Sequence, residues 1–219
     1  MKNISIIHPS KGRNKMAFET AKKWLSSAQN INEIEYILSI DENELEKKEY
    51  NNNIDYFNNK LLADSKIEVN NNNNAIEAIN IAAKNSTGNI IIVISDDFDC
   101  FNDWDYHLIK NINGREDFLA KTSDGIQDWL ITLPIMDRKY YKRFGYVYYP
   151  EYHHMFSDTE MTEVGDLLGR VIDLKNLYFI HNHYTVGLMQ KDYINEKNDL
   201  TWEQGKNLYT IRKQNKFFI

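Results

Sequence analysis

The chain has 219 residues, of which 42% are hydrophobic and 13% aromatic, enough to bury the core of one domain and too much for a disordered chain. A formal net charge of −6 gives no general attraction to nucleic acid or to an anionic membrane. The single cysteine, Cys100, excludes an internal disulfide and any cysteine-based zinc cluster, and reads as a small buried residue at a strand end.

The opening "MKNISIIHPSKGRNK" is apolar for only a few residues and does not read as a signal peptide. No run of about 18 apolar residues occurs, so no membrane span is expected and a soluble cytoplasmic protein is. Asparagine-rich stretches such as "YNNNIDYFNN" are short and flanked by patterned segments, so they read as loops.

In chain order, "ISIIHPS" (4–10) reads as a short buried strand, and 14–29 as a helix with Met16, Phe18, Ala21, Trp24, Leu25 and Ala28 near helical spacing. "IEYILSIDEN" (34–43) is a second strand ending in Asp41, and the acidic run after it reads as a solvated face with some helix. "KIEV" (66–69) is a third strand. Residues 74–87 form a helix stopped by Gly88. "NIIIVISDD" (89–97) is apolar throughout, as in the centre of a parallel sheet. This alternation predicts a three-layer α/β/α sandwich with a mostly parallel central sheet and right-handed crossovers.

After residue 100 the pattern is less regular. Residues 103–112 read as a helix that takes His107 as a structural residue. The aromatic-rich segment 129–155 reads as a strand, a helix and then an irregular stretch, in which His153 and His154 either line a pocket or pack in a loop. A helix begins near 157, capped by Ser157 or Asp158. "NLYFIHNH" (176–183) is a last strand, and 192–219 a polar tail with a helical stretch. Trp129 is expected in the core, and Asp124 and Asp128 as loop charges. One domain, 1–219, is expected, with a nucleotide-binding half (1–100) and an acceptor-binding half (101–219).

Ligands of such sheets bind beyond the carboxyl ends of the strands. The first strand delivers His8 to Arg13 to that rim, the second Asp41, and the fourth Asp96, Asp97 and Asp99. Clustered carboxylates repel one another and are costly to desolvate, and a hard divalent cation, Mg²⁺ or Mn²⁺, relieves both.

The order Pro9-Ser10-Lys11-Gly12-Arg13, Asp41, Ala78-Ile79-Asn80-Ile81-Ala82, Thr87-Gly88-Asn89 and Asp97-Phe98-Asp99 resembles the nucleotide-binding half of GT-A glycosyltransferases, family-2-like ones above all. The likeness covers roughly residues 3–100. It implies a metal-dependent transfer of a sugar from a nucleotide-diphosphate donor, UDP-linked, to an acceptor hydroxyl, by inversion. Pro9, Ser10, Arg13, Asp41, Asn80 and Asp97 are then nucleotide-site residues, and Asp97 and Asp99 metal ligands. "FSDTEM" resembles the segment that carries the general base, which gives Asp158 that role with Glu160 as fallback, although Ser157 replaces the usual acid. "YFIHNH" resembles the strand-end histidine that completes the metal site, filled by His181 or His183. A carboxylate at Asp41 accepts from a base N–H, and Arg13 or Lys11 pairs with phosphates. Two other readings remain: a non-catalytic module that binds a nucleotide sugar or glycan, and a sugar nucleotidyltransferase, whose glycine-rich opening "HPSKGR" lacks.

Overall fold

Side chains leave a strand to alternate faces, and the first strand feeds two cores in this way: Ile4 and Ile6 join one apolar cluster and Ile7 the other. The structure is a computed structural model describing residues 2–219. Its first half alternates β1 (Ile4–Pro9), α1 (Asn14–Ser26), β2 (Ile34–Asp41), α2 (Lys47–Lys60), β3 (Asp64–Asn70), α3 (Ala75–Asn85) and β4 (Ile90–Val93). Its second half runs α4 (Trp104–Ile112), β5 (Leu119–Ser123), β6 (Ile135–Asp137), α5 (Arg138–Phe144), α6 (Ser157–Leu167), β7 (Val171–Tyr178), α7 (Tyr193–Asp199) and α8 (Trp202–Gln214).

The seven strands form one sheet in the order β3-β2-β1-β4-β6-β5-β7. Neighbours pair in parallel except where β6 runs antiparallel to both β4 and β5. One face is covered by α1, α2 and α4 through Trp24, Tyr50, Phe57, Trp104 and Leu108. The other is covered by α3, α5 and α6 through Ile76, Ile79, Tyr140, Tyr141 and Met161. This is the three-layer sandwich expected. Each large apolar side chain so buried contributes about 1.5–3 kcal/mol.

Several boundaries differ from the sequence reading. The central strand stops at Val93, so the acids that follow lie in a turn closed by Phe98 N–H on Ser95 C=O. Helix α3 ends at Asn85, and Gly88 serves a different need: a Cβ there would meet the Ser5 backbone nitrogen at 2.6 Å. Helix α6 is capped by Phe156 in the left-handed region, and both Ser157 and Asp158 lie inside its first turn. The last strand begins at Val171 and ends at Tyr178, before either histidine. Strand β5, whose sequence LAKTS mixes polar and apolar residues without a clear pattern, was not read as a strand. Among the described residues no helix is long and apolar enough to cross a membrane.

Candidate active site

Two adjoining cavities of about 230 Å³ each open beyond the carboxyl ends of β1, β2 and β4. Pro9, Ala75 and Asn198 line both. The first is bounded by Ser10, Lys11, Ser39 and Asp41, the second by Arg13, Asp97, Asp158, His154, His181 and His183.

The turn after β1 is braced from below. Tyr50 shares a hydrogen bond with Ser10 (2.8 Å) and accepts from the Arg13 backbone N–H (3.2 Å). Glu44 and Glu46, assigned to a solvated face, instead accept from the backbone N–H groups of Gly12 and Asn14. Lys11 pairs with the Asp41 carboxylate.

The acidic turn after β4 divides its three carboxylates. Asp96 is buried against His8 (3.0 Å), whose other ring nitrogen meets Tyr36 (2.8 Å), so both residues shape the turn. Its backbone carbonyl accepts from Thr20 and that of Phe98 from the Trp24 indole, which fastens the turn to α1. Asp99 points the other way, onto Lys23 and the Cys100 backbone N–H, and does not line either cavity. The Asp-x-Asp alternation fails here because the backbone bends at Ser95–Phe98. Burial pushes the Cys100 thiol up to about 12, which keeps it inert at neutral pH.

Asp97 faces the second cavity alone of the three. Burial alone raises its pKa, but His181, the Ser95 hydroxyl and His183 outweigh that and hold it at about 2. The chain places His181 opposite it by threading: Asn182 N–H donates to Asp97 C=O, Asp99 N–H to Ile180 C=O, and His181 N–H to Asp124 C=O. The imidazole stacks on Phe98 (4.2 Å between centroids), with Nε2 3.4 Å from the Asp97 carboxylate.

Among the described residues no group of three carboxylate, histidine or cysteine side chains is arranged to hold a metal ion. A smaller donor set remains. The Nδ1 of His181 is buried with no partner, and a carboxylate beside an imidazole suits Mn²⁺ or Mg²⁺, which often keeps only one or two protein ligands and takes the rest from substrate phosphates. Asp97 and His181 fit such a shared cation, whereas His183 turns its Nδ1 to Thr185 (2.8 Å).

The two acids of α6 part as well. Asp158 lines the second cavity, its Oδ1 accepting from Thr159 N–H (2.7 Å), and burial raises its pKa. Glu160 faces away and lies in the core. It accepts from Arg212 Nε (2.8 and 2.9 Å) and from the Tyr152 hydroxyl (2.8 Å), so it is no candidate base. Asn80 is also committed elsewhere: it accepts from Val147 and Tyr148 N–H and donates to Tyr148 C=O, fastening the segment after α5 to α3.

Two open readings are resolved here, and one contact, that of Asp192, had no counterpart in the sequence. His154 lines the second cavity, where burial depresses it to about 4, so it is neutral at pH 7. Asp192 grips Arg13, with Oδ2 accepting from Nε (2.7 Å) and Oδ1 from the guanidinium NH2 (2.5 Å). Nothing local marks that contact, which spans most of the chain. Trp129, expected in the core, is 60% exposed on a loop whose ends Asp124 ties together through Ile126, Gln127 and Thr132.

No family model matches the chain, and no curated protein is similar to it in sequence. Solved structures are similar in fold. A mannosyltransferase, PcManGT from Pyrobaculum calidifontis in complex with GDP-Man and Mn²⁺, superposes with a TM-score of 0.66 at 11% identity over 81% of this chain and 56% of that one. S. aureus TarS 1-349 in complex with UDP-GlcNAc gives 0.64 at 17% identity over 82% of this chain and 57% of that one. A further TarS structure gives 0.66 at 14% identity over 94% of this chain and 43% of that one. The chain thus spans about half the length of these structures. At such identities the shared property is the fold, and it is the GT-A glycosyltransferase fold that the sequence motifs resemble.

Proposed function

We propose that the chain is a glycosyltransferase that moves a sugar from a nucleotide-diphosphate donor, UDP-linked, to an acceptor hydroxyl with inversion, assisted by Mn²⁺ or Mg²⁺. The observation that carries this reading is the convergence of Arg13, Asp97, His181 and Asp158 on one cavity at the carboxyl ends of β1 and β4. A nucleotide diphosphate and an attacking hydroxyl need a cation, a metal-binding carboxylate and a base in that arrangement.

The nucleobase goes to the first cavity, where Asp41 accepts from a base N–H and Lys11 pairs with the same carboxylate. The diphosphate lies toward Arg13 in the second. Asp97 and His181 are the residues that would hold the cation, which offsets the charge developing on the leaving diphosphate. Asp158 accepts the proton of the acceptor hydroxyl as its oxygen bonds to the anomeric carbon and the electron pair of the breaking glycosidic bond stays with the diphosphate. Its raised pKa makes it a stronger base than a solvated aspartate, and His154, which lines the same cavity, is neutral at pH 7.

The test is release of nucleotide diphosphate from a panel of UDP- and GDP-sugars with Mn²⁺. The expected result is turnover on a UDP-sugar that Asp97→Ala abolishes and Asp158→Asn suppresses without loss of nucleotide binding. Tight binding with no turnover on any donor and acceptor pair would replace the enzyme with a binding module.

A further inference from the structure

Residues 184–202 cross the mouth of both cavities. Ile194, Lys197 and Thr201 border the first, Asn195 the second, and Asn198 both. Apart from Trp202, which packs edge-on against Phe156, its contacts with the rest of the protein are mainly polar, and internal polar contacts brace it. Asp199 accepts from the Tyr184 hydroxyl (2.9 Å) and pairs with Lys191 (2.6 Å), and Thr201 accepts from Met155 N–H (3.2 Å). Of α7 only Asn195 is buried, while Tyr193 and Leu200 are 73% and 85% exposed. A segment with so little apolar burial opens at low cost.

Its anchor is the Asp192 contact with Arg13. Arg13 is, among the described residues, the only lysine or arginine that lines the second cavity, and its side chain is just 11% exposed. Arginine presents the same fork of donors to a carboxylate and to a phosphate. Each cavity alone falls below the range of about 300–1,000 Å³ typical of small-molecule sites, and only the two joined reach it.

We propose that Asp192 is an internal competitor for the donor's diphosphate, so that residues 184–202 act as a strap which the donor must displace from Arg13 to enter. The inference rests on the nucleotide-diphosphate reading of the cleft. It makes Asp192 a positioning residue that sets donor affinity through Arg13. Ligand binding and strap closure then oppose each other, because a ligand shifts a conformational equilibrium only by its differential affinity for the two states.

The variant Asp192→Asn separates the two. Asparagine still caps α7, as Asp192 does through Asn195, but it carries no charge to hold Arg13. Titration with UDP and Mn²⁺ is expected to give a Kd about tenfold lower than that of the unaltered protein, equivalent to about 1.4 kcal/mol. Amide hydrogen exchange over 184–202 is expected to rise in the variant, and to rise in the unaltered protein when UDP is added. Equal or weaker UDP binding in the variant, or slower exchange over 184–202 on adding UDP to the unaltered protein, overturns the competitor. If neither protein binds UDP or GDP, the nucleotide reading fails and the competitor falls with it. UDP binding by both without a gain in the variant sinks the competitor alone.

Discussion

Replacing Glu160 with alanine strips Arg212 of its partner inside the protein, where the two side chains are only 5% and 7% exposed. Arg212 also lies over the Tyr149 ring, 3.2 Å from its centroid, and donates to Phe217 C=O. It therefore cannot swing into water without unseating α8 from α6. Breaking one side of a buried ion pair costs about 3–5 kcal/mol. For a chain of this length each kcal/mol lowers the melting temperature by about 2–4 °C, which makes the drop about 6–20 °C. Thermal unfolding followed by circular dichroism measures it. The double variant Glu160→Met/Arg212→Leu, which leaves no unpaired charge, is expected to recover most of the loss. If Glu160→Ala melted normally and yet lost turnover, Glu160 would be the catalytic base and the division of labour between it and Asp158 would be reversed.

Four further outcomes follow from the geometry. Asp158→Asn should lower kcat about 10²–10⁴-fold with KM for the donor little changed, as read in steady-state kinetics. The base must be deprotonated to act, so the acid limb of the pH–kcat profile should lie above the usual aspartate range, because burial raises Asp158, and should vanish in that variant. Asp99→Asn should leave metal-dependent turnover nearly intact and cost at most about 1 kcal/mol of stability, since its partner is the half-exposed Lys23. Stability should fall as pH drops from about 6.5 toward 4, because the unfolded chain protonates His154 before the folded chain does; denaturant midpoints for His154→Gln should fall less over that window.

Sequence reading reached furthest where local pattern and chain order coincide. The run Ile90–Val93, buried from end to end, needed no partner to be recognised, and the helices before it carried their apolar faces at regular spacing. From that order alone the rim with Arg13, Asp41 and the acidic turn followed. Directions within the rim were not legible. Whether Asp97 or Asp99 faces the cleft depends on a bend at Ser95–Phe98 and on a pairing of Phe98 with His181 across the chain. The same holds for α6, where Asp158 and Glu160 are two residues apart on a helix and so point to different sides; only Arg212, 52 residues later, reveals which one the core consumes. Asn80 carried the expected motif but spends its amide on Val147 and Tyr148. Trp129 showed that aromatic character alone does not report burial. The strand and helix read from Trp129 onward correspond to β6 and α5, whereas β5, with its mixed sequence LAKTS, was not read.

In the acidic turn only Asp97 faces the cleft, and a crystal structure with Mn²⁺ and UDP shows whether the cation follows it. The expected result is an anomalous manganese peak between Asp97 and His181, with the diphosphate toward Arg13 and Asp99 still on Lys23. A peak on Asp99, or a diphosphate bound away from Asp97, would contradict it.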